Sequence, residues 1–450
     1  MNSPSIVKIE TWAAHLSAAP KTSRDGESLF VAANGTRTCA GGWQIRISGF
    51  EQGTAYRIDV SVIIRGVPQV NACVRCLAIW GCISPLASEI DSSADNDSLL
   101  LTDNGIFSRT LIASDNELTL RYIFRYSSHG EAKFGMPVIT AVKTQKKRSI
   151  CIAVATGSKV LRHSVRIASI ADNVSFYGKL CEEAPGKPDI IVLPEIALHH
   201  GVAHFGNLSG SELANGSGKH ALDLALPLES DEVGHFISIA KRLQTRILVG
   251  LFERSGDAVH NSAVLVGPSG IEGVYRKVHL ADYGEANSGE LPGDSFPVFE
   301  TPAARIGAII CMDSSAVEAS RMIGLNGADV LCMPIMGDHR ASRFTRGVPD
   351  FNEDRWKVIM RAHALNNQFI VAAARNNALG SCIVDQCGDI IAWNDGTSDV
   401  IFAETALHPV HRIWNGGRQR DVLWMQRRPD LYGAFTAETN GALDALCKND

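Results

Sequence analysis

Three stretches early in the chain alternate apolar and polar positions with a period of two. In WQIRIS the apolar residues are Trp43, Ile45 and Ile47; in YRIDVSV they are Tyr56, Ile58, Val60 and Val62; in LTLRYIFRY they are Leu118, Leu120, Tyr122, Phe124 and Tyr126. Successive side chains of a strand point to opposite faces, so this pattern predicts half-buried strands. Turn-rich pieces such as SGFEQGT and SSADNDS separate them, and no helical rhythm of any length intervenes. A run of such strands predicts an all-β sandwich, jelly-roll-like in pattern, over residues 1–142.

The rhythm changes after a short basic linker, residues 143–149. RSICIAVAT, PDIIVLPE, RILVGLFE, NSAVLVG, ARIGAIIC, DVLCMP, QFIVAAAR and SCIVD are apolar on both parities. Helical spacing lies between some of them, from about Val165 to Glu183 and from Glu232 to Leu243. Strands buried on both faces and alternating with helices predict an α/β layer fold over 150–435, followed by a tail at 436–450. The segment 206–218 reads as a surface loop or lid inserted into this region.

Composition narrows the function classes. The chain has 450 residues, too many for one ordinary core, and is 45% hydrophobic and 20% charged, as a globular protein is. A formal net charge of −5 gives no basic field for nucleic acid. No stretch reaches the ~18 apolar residues of a membrane span, and the N-terminus lacks the pattern of a secretory signal, so a cytoplasmic location is expected. The eleven cysteines are scattered. Cys73 and Cys76 form a CxxC with Cys82 nearby, but no second CxxC completes a zinc site, and VNACVRCLAIWGC reads as an apolar strand carrying buried thiols. No metal and no cofactor is expected.

Three reactive side chains stand at or just beyond the ends of apolar segments: Glu195 after PDIIVLP, Lys277 in VYRKVHL and Cys311 at the end of ARIGAII. Active sites of α/β folds gather at such strand ends, where loops converge on a rigid sheet. Taken singly, each is ordinary: a buried thiol, a carboxylate at a helix start, a solvated lysine. Together they suit nucleophilic catalysis, because a thiol needs a base or a cation to become the reactive thiolate.

In this order, IIVLPE, YRKVHL and IICMD resemble the three signature segments of the nitrilase, or carbon–nitrogen hydrolase, superfamily. LPGD at 291–294, NGADVLCMP, GSCIVDQCGDIIAW and RRPDLYG at 427–433 extend the likeness. The resemblance implies a nitrilase-type αββα sandwich. It also implies Cys311 as nucleophile, Glu195 as general base and Lys277 as the cation facing the developing oxyanion. The family's second glutamate falls on Glu285 or Glu290, with Glu285 better spaced from the PGD turn. Met312, through its N–H, together with Asp313 and His279, is expected to shape the oxyanion and substrate site, although Asp313 also suits the start of the next helix. The expected activity is hydrolysis of a small amide through a thioester, releasing ammonia or an amine. A nitrile or carbamoyl substrate, or a non-catalytic binding protein using the β-sandwich, are the alternatives. The expected partners are the small-molecule substrate and a second copy of the chain, with Trp414 and Trp424 in the C-terminal stretch; nucleic acid and membrane are not expected. The N-terminal region resembles, in pattern alone, the accessory sandwich domains of other hydrolases.

Some positions depart from the family. The helix before QFIV reads AHALNN, with His363 and Asn366 where arginine and glutamate are usual, which predicts an altered helix contact. Met312–Asp313 after the cysteine, in place of Trp-Glu, favours an amide over a nitrile. His199, His200, His204 and His279 allow a cysteine–histidine reading supported by sequence proximity alone, and His200 and His204, four apart, allow a metal reading against which Gly201 argues for a loop. Arg340, Arg343 and Arg346, in the segment 337–352 at the expected mouth of the site, are solvated loop charges or contacts for an acidic substrate.

Overall fold

The computed structural model describes residues 4–81, 96–143, 149–203, 220–281, 284–336, 342–345, 348–407, 424 and 427–433. Cys82, His204, Arg340, Arg346, Trp414 and the insertion at 206–218 lie outside the described residues, as does the side chain of Arg343. The chain divides into two compact units, one of Met1–Lys146 with Val410–Asp450 and one of Lys147–Pro409. The segment RRPDLYG therefore falls with the first unit. There Arg428 acts on Cys73, and Asp430 is hydrogen-bonded to Gln69.

The first unit is β structure. Its strands follow one path of hydrogen-bonded neighbours: Ser5–Ala13, Ala40–Ser48, Glu117–Arg125, Val74–Trp80, Asn96–Leu101, Ile106–Ile112, Ala55–Arg65, Glu131–Phe134, Ser28–Ala32 and Lys21–Asp25, with Val138–Val142 added on Ala55–Arg65. The two-layer expectation is modified here. Asn96–Leu101 pairs with Val74–Trp80 at one end and with Ile106–Ile112 at the other, and so joins the strands into a single nearly closed sheet. The alternating residues face inward: Trp43, Ile45, Ile47, Tyr56, Ile58, Val60, Leu118, Leu120, Tyr122 and Phe124 share one core. Full burial of such side chains contributes about 1.5–3 kcal/mol each. Tyr126 leaves the pattern, because the strand ends at Arg125 and Tyr126 turns outward with φ of 62°. VNACVRCLAIWGC is not strand throughout. Val70–Cys73 is a helical turn entered through Gln69 at φ 51°, and the strand begins at Val74. Cys73 and Cys76 are buried free thiols, and burial raises the pKa of each.

The second unit holds two six-stranded sheets. One runs Gly270–Arg276, Ala258–Gly267, Arg246–Ser255, Ile190–Val192, Ser149–Ala155, Val400–Ala406; the other runs Val298–Glu300, Arg305–Ala308, Val330–Ile335, Ile370–Arg375, Cys382–Val384, Ile390–Trp393. Each has three parallel strands at its heart and antiparallel strands outside them. One buried cluster, including Ile152, Val192 and Leu248 with Ile306, Val330 and Ile370, is shared by both sheets. The helices Ile170–Glu182 and Asp231–Leu243 cover the outer face of the first sheet, and Val317–Leu325 and Glu353–Asn367 cover that of the second. Central strands apolar on both parities follow from being covered on both faces.

The helix ends are written locally. Ser169 and Asp172 form a reciprocal capping box for Ile170–Glu182, Ser230 caps Asp231–Leu243 and Asn352 caps Glu353–Asn367. Each such cap contributes about 1 kcal/mol by satisfying an N–H that has no partner inside the helix. Among the described residues no helix is long and apolar enough to cross a membrane.

Candidate active site

Glu195, Lys277 and Cys311 each follow a strand, by different local means. Glu195 lies three residues past Ile190–Val192. Its segment presses on Gly250 of the neighbouring strand, where a Cβ would stand 2.2 Å from the Pro194 carbonyl oxygen and 2.7 Å from the Ile196 nitrogen. Lys277 directly follows the strand Gly270–Arg276. The PGD loop closes over it, with Gly293 N–H donating to the Lys277 carbonyl at 2.8 Å; a Cβ on Gly293 would lie 2.3 Å from the Arg276 carbonyl oxygen. Cys311 opens the 3₁₀ turn Cys311–Ser315, three residues past the end of Arg305–Ala308.

Both Ile196 and Cys311 have φ of 43°, the left-handed region that non-glycine residues seldom occupy. Holding a β-branched residue such as Ile196 there costs about 1–3 kcal/mol, which the surrounding contacts must offset. At Cys311 the turn leaves the N–H of Met312 at the start of the 3₁₀ helix, where it has no acceptor among the described residues. Cys311 is partly exposed and packs against the core between the two sheets and the outer core of the second sheet.

The charged groups converge on Lys277. Its Nζ lies 2.8 Å from Glu195 Oε1 and 2.6 Å from Glu285 Oε2, and all three side chains are nearly fully buried. Burial alone would lower the lysine pKa, but the charges of Glu195, Cys311 and Glu285 reverse this and raise it. The ammonium therefore stays charged. Glu285 rather than Glu290 is the carboxylate on the lysine, and Glu285 also accepts from the Ala281 N–H at 2.8 Å. Glu290 is buried, and among the described residues neither of its oxygens has a hydrogen-bond partner.

Asn261 completes the cluster and escaped the sequence reading. Its side-chain amide donates to Glu195 Oε1 at 2.9 Å and also to Glu285 Oε1, and its backbone carbonyl accepts from the Lys277 N–H at 2.9 Å. The signal was present as a polar triplet, His260–Asn261–Ser262, within an otherwise apolar strand. The Met336 N–H donates to Glu195 Oε2 at 2.6 Å, and the Asn376 amide donates to the Glu195 carbonyl at 3.0 Å. Glu195 is thus held by groups from both sheets.

Asp313 is fully buried and saturated. Oδ1 accepts from the His279 N–H and pairs with His279 Nδ1, both at 2.8 Å; Oδ2 accepts from Tyr275 Oη at 2.6 Å and from the Ile310 N–H at 2.9 Å. It ties the segment carrying Lys277 to the turn carrying Cys311. His279 is partly exposed, and its hydrogen bond to Asp313 raises its pKa. His199 is fully used by structure. It accepts from the Phe252 N–H at Nδ1 and lies 2.9 Å from the Leu224 carbonyl through Nε2, and burial lowers its pKa to about 4. His200 contacts Arg162 at 2.8 Å and has its pKa lowered to about 4 by burial and by that cation. His363 meets Ser320 of the neighbouring helix at 3.0 Å, an interhelical contact, while Asn366 is exposed.

Two carboxylates thus hold one buried lysine, and the charge of that lysine is coupled to Cys311. The carbon–nitrogen hydrolase family model matches residues 152–413. The chain belongs to the carbon–nitrogen hydrolase family. It is 31% identical over 276 residues to a citrullinase of Francisella tularensis, covering 56% of this chain and 88% of that protein. It is 31% identical over 219 residues to an N-carbamoylputrescine amidase of Arabidopsis thaliana (43% and 69%), and 28% identical over 281 residues to an omega-amidase of Xenopus tropicalis (58% and 91%). This carbon–nitrogen hydrolase is therefore an amidase-like enzyme, and the match leaves the β unit outside the family region.

Proposed function

We propose that the chain is a cysteine-dependent amidase acting on a small, non-peptide amide through a thioester, on an αββα layering of the second unit. The observation that carries this reading is the buried Glu195–Lys277–Glu285 cluster next to Cys311. Glu195 takes the thiol proton as the sulfur attacks the carbonyl carbon. The resulting oxyanion is held by Lys277 Nζ and the Met312 N–H, a donor of the kind worth about 10²–10³ in rate. The C–N bond then breaks, and Glu195 returns the proton to the leaving nitrogen. Water adds to the thioester, Glu195 receives a proton from it, and the acid leaves as Cys311 regains its hydrogen. Glu285 keeps Lys277 charged and aimed; Asp313 positions both segments, and His279 borders the pocket.

A carbamoyl substrate is the second reading. It is favoured by the similarity to proteins named citrullinase and N-carbamoylputrescine amidase. Mass spectrometry after incubation with a panel of amides and ureido compounds separates the two readings by the mass of the adduct on Cys311. Cys311→Ala should lower ammonia or amine release on the order of 10³-fold or more with an unchanged circular-dichroism spectrum. Turnover by Cys311→Ala at the wild-type rate would exclude the mechanism.

A further inference from the structure

Glu290 is a carboxyl at the edge of this cluster that the mechanism leaves idle. It is 3% exposed, and neither of its oxygens has a hydrogen-bond partner among the described residues. A buried ionised carboxylate without a donor is costly, and a buried neutral one much less so. Among the described residues, the charged groups acting on Glu290 are Glu285, on its own turn, and Lys277, on the segment beside it. His260, on the strand Ala258–Gly267, reaches the Leu291 carbonyl one residue further on, at 2.8 Å. Lys277 is already shared by Glu195 and Glu285 at hydrogen-bond distance. A third carboxylate would therefore find one cation already engaged by two others.

We propose that Glu290 is a positioning residue that carries its proton into the reaction and, on losing it, slows Cys311 by setting a third negative charge beside Lys277. The inference rests on the reading of Cys311 as nucleophile. Burial pushes the Glu290 carboxyl up to about 7; the dipole of its own backbone N–H and the charge of Lys277 oppose the rise, and Glu285 adds to it. The group thus changes charge in the neutral range. When it ionises, the local potential becomes more negative and the Cys311 thiolate is disfavoured, so reactivity gained by raising the pH is partly withheld.

The test is the rate of Cys311 alkylation by iodoacetamide, followed by mass spectrometry of the Cys311 peptide in the full chain, for wild type and Glu290→Gln. At about pH 5.5, where Glu290 is protonated, the two rates should coincide; at about pH 8.5 the variant should react roughly three- to tenfold faster, the size of a half- to one-unit change in thiol pKa. Rates that superimpose at every pH, or that differ by one constant factor throughout, overturn the proposal. If Glu290→Gln does not fold, infrared spectra of the wild type across the same range decide the matter: loss of a buried protonated-carboxyl band on raising the pH supports the proposal, and its absence at low pH overturns it. The two readings fail separately. A Cys311 no more reactive than the buried thiols would remove the amidase mechanism, whereas a reactive Cys311 with unchanged pH dependence removes only the role of Glu290.

Discussion

Lys277 shows how a single side chain can be both a cost and a necessity. An ammonium 1% exposed is tolerated because two carboxylates lie within 2.8 Å of it. Removing the lysine leaves two buried carboxylates facing each other without a cation, a change that typically costs about 3–5 kcal/mol. Lys277→Met should therefore lose both activity and stability, the second read as a fall in the denaturant midpoint of the second unit; a midpoint unchanged from wild type would refute the pairing. The residue types proposed for catalysis were legible because a thiol, a carboxylate and an amine in this order carry chemistry in their identity. Asn261 was not, because an asparagine within an apolar strand looks the same in sequence whether it fills space or binds two carboxylates. Asp313 could be read either as a substrate contact or as the start of a helix. Its four hydrogen bonds assign it to holding the Lys277 and Cys311 segments together.

At the scale of elements, the site depends on how closely backbones approach. Gly250 admits the Pro194–Ile196 segment to within a distance that no Cβ permits. Gly250→Ala should push Glu195 away from Lys277 and Asn261 and lower kcat by about 10²-fold, the scale expected for a misplacement near 1 Å. Comparable kcat in the variant, measured on any confirmed amide, would show that the segment can relax. The strands and helices around these contacts were largely visible in the pattern: Asp231–Leu243 begins one residue before the helix expected from spacing, and Ile170–Glu182 begins five residues late. The late start has a local cause, since the Ser169–Asp172 capping box fixes where the helix can begin. Val70–Cys73 was read as strand because four apolar or small residues carry no period long enough to distinguish a helical turn.

On the scale of the whole molecule, each unit owns its core. The first is filled from a nearly closed sheet, and the second by clusters between and outside its two sheets, with a smaller one around Ile196 and Phe252. Separate cores predict separate melting. Phe107→Ala, at a fully buried position of the first unit, should lower one calorimetric transition by the equivalent of about 3–5 kcal/mol and leave the other where it was. A single transition shifting as a whole would show that the units unfold together.

Periodicity and residue chemistry are local properties, so the strand parity of the β unit, the α/β character of the second unit, and the identities and order of Glu195, Lys277 and Cys311 can be read along the chain. Packing in three dimensions brings Glu285 rather than Glu290 to Lys277, sets Asn261 between two carboxylates, joins the β strands into one sheet and groups the segment 427–433 with the first unit. Those facts concern distances between residues far apart in the chain or on one irregular turn. No spacing rule fixes such distances until packing has brought the backbones together.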